Sequence, residues 1–332
     1  MKNEYGYEFK KVVTQKLNRF SEMMDLSLNL KVDEDYFQWK YANNPAGKVE
    51  AFEAIDGDKS IGFFGVIPEH YLVNGKKVTV YQSMDLMTHP DHRRRGLFVT
   101  LAKMTQESLI ERFGEAFIIG ISGMNAFSGY INKLDWQNPH NFDYIFNHKL
   151  KFKLQFFTKK NQPVTLEPIT QFEDDFDVFF QEKYQSPKPI IKFLSKEVLN
   201  WKIINHPFHT FFPFKIKKQN QTVGFIIYRM FGQKRCFIDY LELRNKEDFA
   251  ELGPSIMREL YRISKADFIF TWRPTSKIIE QAYTKSGFIK NPFNKGPFSY
   301  RIPYIAYSNV KKIQGVEWFN MQNLDIQPIL QD

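Results

Sequence analysis

The sequence predicts a mixed α/β protein, an α+β arrangement on mixed sheets, made of two tandem copies of one domain. Its 332 residues are more than one core usually needs and suit two domains of about 150 to 170 residues. Residue patterns recur in one order in both halves. Trp39 and Trp201, Pro45 and Pro207, and Gly62 and Gly224 are each 162 positions apart. The strand Ser83-Met84-Asp85-Leu86 then corresponds to Phe237-Ile238-Asp239-Tyr240-Leu241 at 154, as if a hairpin loop had been shortened, and Trp136 corresponds to Phe288 at 152. A repeat of this length means a duplicated domain, not a solenoid. Helix and strand patterns also follow one another in the same order in each copy, with domains at 1–157 and 164–332 and the connection at Asn161-Gln162-Pro163.

Each element has a local reason. A helix starting near Asp33 carries Trp39-Lys40, and its counterpart, capped by Ser195, carries Trp201-Lys202. Aromatic and β-branched strands follow, and Asn74-Gly75 between Glu69–Val73 and Lys76–Val80 is a strong hairpin signal. A strand runs from Tyr81 to Thr88 and meets a basic, glycine-containing turn at Pro90 to Gly96. The next helix sets Phe98, Leu101, Ala102, Thr105 and Leu109 on one face. Phe117–Ile121 reads as a strand, and a helix is expected near Phe127 to Leu134. In the second copy Pro254 sits early in a helix reaching about Lys265. Lys149 to Lys160 carries five lysines and no acid and reads as the first copy's final strand.

Composition narrows the function classes. Hydrophobic residues at 43% and charged residues at 25% describe a globular chain, not a disordered or membrane-embedded one. No apolar run approaches the roughly 20 residues of a spanning helix. The segment Met1-Lys2-Asn3-Glu4-Tyr5-Gly6 lacks a signal-peptide pattern, so a cytoplasmic protein is expected, with no membrane partner. The lone Cys236 removes disulfides and cysteine zinc sites and agrees with a reducing compartment. The 34 Phe residues read as core filling. Forty-six basic against 37 acidic residues leave +9, which suits anionic ligands such as phosphates, nucleotides or nucleic acid. There is no Walker loop, no G-x-S-x-G elbow and no H-E-x-x-H, and the seven histidines show no metal spacing, so no metal is expected.

The informative site is the turn after Thr88. Met87-Thr88-His89-Pro90-Asp91-His92-Arg93-Arg94-Arg95-Gly96-Leu97-Phe98 puts unpaired backbone N–H groups at a helix start beside three arginines. The positive helix end forms an anion cradle, and Gly96 lets the backbone approach a pyrophosphate. The segment Arg93 to Phe98 resembles the Q/R-x-x-G-x-G/A motif of the GNAT acyltransferase superfamily, which binds the pyrophosphate of acyl-CoA. Phe98 departs from the small residue usual at the last position, so another group must pack there. The later run from Asn125 to Trp136 is similar to the family segment in which an Asn precedes a helix ending in Tyr-x-K-x-G-F. In the family that Tyr often protonates the departing thiolate. Here Ile131 holds its usual place, Tyr130 is one residue earlier, and Asp135 replaces the Gly. The resemblance implies acyl-CoA as co-substrate, held by Met87, Arg93, Arg94, Arg95, Gly96, Leu97, Phe98 and Asn125, with the pantetheine amide on the strand near Met87. Tyr130 reads equally as a core aromatic, and Asn125 as a helix cap.

Acyl transfer to an amine needs a deprotonated amine, donors for the oxyanion and a proton for the thiolate. Asp85, Tyr130 and Asn125 are the catalytic candidates. Strand alternation places Ser83, Asp85 and Met87 on one side, where Asp85 is a base or orienting group for the amine. Its counterpart Asp239 favours a structural hydrogen bond instead. The second copy reads Glu242-Leu243-Arg244-Asn245-Lys246-Glu247-Asp248 after the matching strand, without glycine, so this degenerate domain has lost the cradle. It is expected to wall the acceptor site, with Trp272 and Arg273 as candidate contacts, although Arg273 reads also as a surface residue.

The strand–turn segment resembles GNAT proteins of bacterial surface-polysaccharide pathways. The tandem layout is similar to nucleotide-sugar N-acyltransferases acting on a dTDP-linked amino-dideoxyhexose. This resemblance implies an acetyl or hydroxybutyryl donor, a nucleotide-linked amino sugar as acceptor and a role in lipopolysaccharide or capsule assembly. Competing readings are an aminoglycoside acetyltransferase, which favours an acidic acceptor pocket, and a peptidoglycan aminoacyltransferase, which takes aminoacyl-tRNA. A non-catalytic module binding nucleic acid or CoA is the alternative of another class, and no basic stripe with interleaved aromatics supports nucleic acid. Nothing in the sequence sets the oligomeric state.

Overall fold

The computed structural model describes residues 4–156, 163–184, 189–245, 248–291, 301–324 and 326–328. In the first half the chain forms β1 (Glu8–Lys11), α1 (Ser21–Leu28), α2 (Glu34–Phe37), β2 (Glu50–Asp56), β3 (Lys59–Val73), β4 (Lys76–Thr88), α3 (Leu97–Phe113), β5 (Phe117–Ile121), α4 (Met124–Lys133), β6 (Gln137–Phe142) and β7 (Tyr144–His148). There follow α5 (Lys149–Phe156), β8 (Thr165–Pro168), α6 (Asp174–Tyr184), β9 (Ile190–Lys192), α7 (Lys196–Leu199), β10 (Phe211–Lys218), β11 (Gln221–Phe231) and β12 (Arg235–Leu243). The chain continues with α8 (Phe249–Ser264), β13 (Phe268–Trp272), α9 (Lys277–Lys285), β14 (Ile289–Lys290), β15 (Ile302–Ser308) and the small hairpin β16 (Lys312–Ile313) to β17 (Val316–Glu317).

Two mixed sheets result. The first has the order β1-β2-β3-β4-β5-β15-β6, with β9 added to the end of β3, and the second has the order β14-β7-β13-β12-β11-β10-β8. The halves exchange strands, the second giving β9 and β15 to the first sheet and the first giving β7 to the second. β7 from the first half lies between β13 and β14, and β15 from the second lies between β5 and β6. β15 suits its place because its side chains divide with period two. Tyr304 and Ala306 enter one core, while Ile305 and Tyr307 pack into the other, beneath α3 and α4.

The duplication is visible down to single turns. Asp33 accepts from the Tyr36 N–H at 3.1 Å and Ser195 from the Val198 N–H at 3.4 Å, capping α2 and α7. Each helix then widens into a π-helical turn, Gln38–Ala42 and Asn200–Ile204. Trp39 and Trp201 meet across the two halves. Their rings stack at 4.9 Å, and each indole N–H donates to the other's carbonyl at 2.9 Å. Gly224 is a repeat marker for a steric reason, since a Cβ there would stand 2.3 Å from the Glu242 carbonyl oxygen.

Three local readings are corrected. Lys149–Phe156 is the helix α5 and not a strand, because β7 has already closed the run of strands and exchanged sheets; residues 157–160 of that segment lie outside the described residues. The helix α8 begins at Phe249, so Pro254 stands inside it and not in its first turn. The alternation along β4 fails at Asp85. The register against β3 shifts between Phe63 and Gly65, and the extra residue lets Met84 and Met87 both enter the core beneath α1 and α2.

Candidate active site

The site is built where two parallel strands part. β4 and β5 pair only through Tyr81 with Ile118 and Gln82 with Ile119. Beyond Gln82, β4 runs on to Thr88 with no β5 partner, so one edge of its backbone N–H and C=O groups faces a cleft instead of a strand. Close approach marks the inner end of this wedge, where a Cβ on Gly120 would lie 3.2 Å from that of Ser83. β4 carries its bulge inside the wedge, with Asp85 at φ +41°, a region that a residue bearing a Cβ seldom occupies.

At the outer end the chain leaves Thr88, makes a short turn at Pro90–His92 and enters α3 with Gly96 as N-cap at φ +75°. The first N–H groups of α3 have no helical acceptor, and the helix dipole puts positive charge there. No atom lies within 4 Å of the position a Gly96 Cβ would take, so the backbone is open to a ligand. This is the geometry a pyrophosphate requires.

Asp85, Asn125, Tyr130, Arg93, Arg94 and Phe98 line this one cleft, together with Ser83. Tyr130 is 4% exposed, its hydroxyl stands 3.2 Å from Ser83 Oγ, and burial raises its pKa to about 12 while the Ser83 contact works the other way. A phenol held this way stays protonated at neutral pH. Asn125 is exposed at the second residue of α4, whose N-cap is Gly123, so its side chain is not the cap. Phe98 takes the place of a small residue because the opposing residue is small. A Cβ on Gly129 would lie 2.5 Å from the Phe98 ring, and that ring packs edge-on against Tyr130 at 4.8 Å.

Other candidates are placed elsewhere. The side chains of Met87 and Leu97 are buried in the cores on opposite faces of the sheet, leaving only their backbone for a ligand. Arg95 turns from the cleft toward the first strand, donating to the Tyr7 hydroxyl with its guanidinium 5.6 Å from the Tyr5 ring centre. The Tyr7 hydroxyl in turn lies 2.9 Å from His92 Nδ1. Desolvation, with Arg95 and His89 beside it, lowers the His92 pKa. Trp272 and Arg273 do not line this cleft. Trp272 stacks on Phe142 at 4.7 Å and faces a cavity in the second half, and Arg273 pairs with Glu280 at 2.6 Å.

The residues that sequence reasoning missed are those that hold Asp85. Tyr41 donates to its Oδ2 at 2.5 Å, and Lys40 Nζ lies 2.7 Å from the same oxygen and donates to Tyr36 at 3.0 Å. Burial opposes the Lys40 charge, but Asp85 and Tyr36 together outweigh it and leave the ammonium more firmly protonated than a free lysine. The Tyr41 pKa is also raised, by burial first and then by Asp85. The one available signal was the recurrence of Trp-Lys in both copies.

Among the described residues no group of three or more His, Cys, Asp or Glu side chains could hold a metal, and no helix is long and apolar enough to cross a membrane. Residues 8–136 match the acetyltransferase (GNAT) domain family. No curated protein sequence matches the chain. A conserved protein of unknown function from Enterococcus faecalis V583, a probable N-acyltransferase, has a similar structure with a TM-score of 0.66 at 10% identity, over 96% of this chain and 74% of that one. A tandem GNAT protein from the clavulanic acid biosynthesis pathway is similar with a TM-score of 0.60 at 9% identity, over 91% and 98%. N-myristoyltransferase of Saccharomyces cerevisiae with bound myristoyl-CoA has a TM-score of 0.57 at 12% identity, over 91% and 78%. At these identities the likeness is one of fold. Residues 8–136 form a GNAT acetyltransferase domain, and the chain is an acyl-CoA-dependent N-acyltransferase.

Proposed function

We propose that the chain transfers an acyl group, acetyl or hydroxybutyryl, from acyl-CoA to the amino group of a nucleotide-linked (dTDP) amino-dideoxy sugar in surface-polysaccharide biosynthesis. The observation that carries the transfer chemistry is the unpaired β4 edge, which runs from the Asp85 bulge to the open Gly96 turn with Tyr130 beside it. The acceptor class rests on the tandem layout, the likeness of the Ser83–Phe98 segment to polysaccharide-pathway enzymes, and the +9 surplus.

The backbone N–H groups around Gly96, with Arg93 and Arg94, hold the coenzyme's pyrophosphate, and the free edge of β4 pairs with its pantetheine amides. The acceptor amine, neutral and held beside the β4 bulge that Asp85 shapes, attacks the thioester carbonyl directly in a ternary complex. A C–N bond forms, the C–S bond breaks, the thiolate takes a proton from Tyr130, which burial has kept on the phenol, and the proton shed by the amine nitrogen passes to solvent in the cleft, from which the Tyr130 phenolate is reprotonated. Asn125 holds the reactants at the cleft wall. Thiol release from acetyl-CoA and 3-hydroxybutyryl-CoA, measured against nucleotide-linked amino sugars and aminoglycosides, tests this. Turnover confined to the nucleotide-linked amines supports the acceptor class; turnover with aminoglycosides alone overturns it.

A further inference from the structure

The Trp-Lys pair marks both copies of the repeat, yet the transfer chemistry does not use Lys40. Lys40 is 4% exposed on the π-helical turn Gln38–Ala42, with its Nζ 2.7 Å from Asp85 Oδ2, the oxygen to which Tyr41 also donates. Asp85 holds a left-handed backbone at the bulge, a conformation that persists in a non-glycine residue only where its surroundings over-determine it. We propose that Lys40 and Tyr41 are positioning residues that clamp the Asp85 carboxylate, hold the β4 bulge in its left-handed form, and so keep the free β4 edge facing the acyl-CoA wedge. The clamp acts on the site of the proposed function, and its relevance to turnover rests on that reading.

The second half supplies the contrast. Its bulge lies at the matching place, where the β11–β12 register shifts between Ile227 and Tyr228, and Asp239 stands there without a positive φ. Asp239 is bound by Arg229 from the neighbouring strand, with Nη2 at 2.6 Å and Nε at 3.0 Å from Oδ1, and Lys202 turns instead toward Glu69 at 3.8 Å. The left-handed bulge and the lysine clamp occur together in the half with the open wedge. Trp39 secures the clamp from behind through its stack with Trp201.

Glycine separates a positioning carboxylate from a reacting one, because glycine adopts φ +41° without a clamp. Lys40→Met and Asp85→Ala are expected to lower kcat for acetyl-CoA thiol release by about a hundredfold and to weaken CoA binding about tenfold in calorimetry, as misplacing the edge that holds the pantetheine should do. The double variant Lys40→Met with Asp85→Gly leaves no buried charge and is expected to recover to within about fivefold of the parent. Amide hydrogen exchange over Met84 to Thr88 reads the bulge without turnover, and should rise in Lys40→Met and fall back in the double variant. A double variant as inactive as Lys40→Met, though folded by circular dichroism, would overturn the proposal, because the carboxylate would then be acting on the reactants. Absence of thiol release in the parent would instead defeat the acyl-transfer reading, and the exchange pattern would still decide the clamp.

Discussion

The two halves open the same wedge and treat it differently. In the first, β4 and β5 part after Gln82 and leave a cleft; in the second, β12 and β13 part after Phe237 and Phe270, and the gap receives the segment Ile326–Pro328. Gln327 Oε1 accepts from the Leu241 N–H at 2.9 Å, at the strand position that corresponds to Met87, and Ile326 is buried beside it. A side-chain amide of the chain itself satisfies the strand edge that the first half leaves for a ligand. At the far end, Gly96 opens the first helix start to an anion, whereas α8 follows a turn without glycine. Duplication thus preserves the strand geometry, because the core depends on it, and lets the ligand-binding parts diverge.

Substitutions at matching positions of the two halves test this divergence. The largest effect is expected at the contact the halves share. Trp39→Ala and Trp201→Ala should each cost about 3–5 kcal/mol in urea unfolding, and the double variant should cost less than the sum because each removes the same stack. Next comes the tyrosine that lines each wedge. Tyr130→Phe should lower kcat about a hundredfold, whereas Tyr283→Phe, buried under α8 in the second half, should leave turnover unchanged. Because the Tyr130 phenol is pushed up to about 12, its proton should not be lost near pH 10, and the rate should show no alkaline fall there from this group. Gly96→Ala forces a Cβ into the left-handed region and should weaken CoA binding about tenfold in calorimetry; Asn245→Ala, after β12, should not change it. The smallest effect is expected for Gln327→Ala, about 1 kcal/mol of stability with CoA affinity unaltered. A second CoA bound by the parent chain would refute the account of the closed wedge.

Much of the architecture was legible in the residues. The 162-residue offset identified the duplication, and Asn74-Gly75 formed the expected turn between β3 and β4. The face of α3 at Leu101, Ala102, Thr105 and Leu109 is buried as its spacing requires. The basic turn with Gly96 was readable because a helix start and a glycine are local features. What failed was nonlocal or depended on one extra residue. The bulge at Asp85 reversed the alternation past it, and nothing local announces an inserted residue in an otherwise regular strand. Arg93, Arg94 and Arg95 look alike in sequence, but only the first two face the cleft, since Tyr5 and Tyr7 draw the third away.

Periodicity and backbone freedom are enough to reveal that the chain is a repeat of one α/β unit and that only its first copy keeps a glycine-opened helix start. The folded chain alone reveals that β7 and β15 change sheets, that Lys40 and Tyr41 close on Asp85, and that Gln327 fills the second wedge. Such pairings join residues tens to hundreds of positions apart. They are selected by complementary hydrogen bonding and burial in the folded chain, which no short window of residues contains.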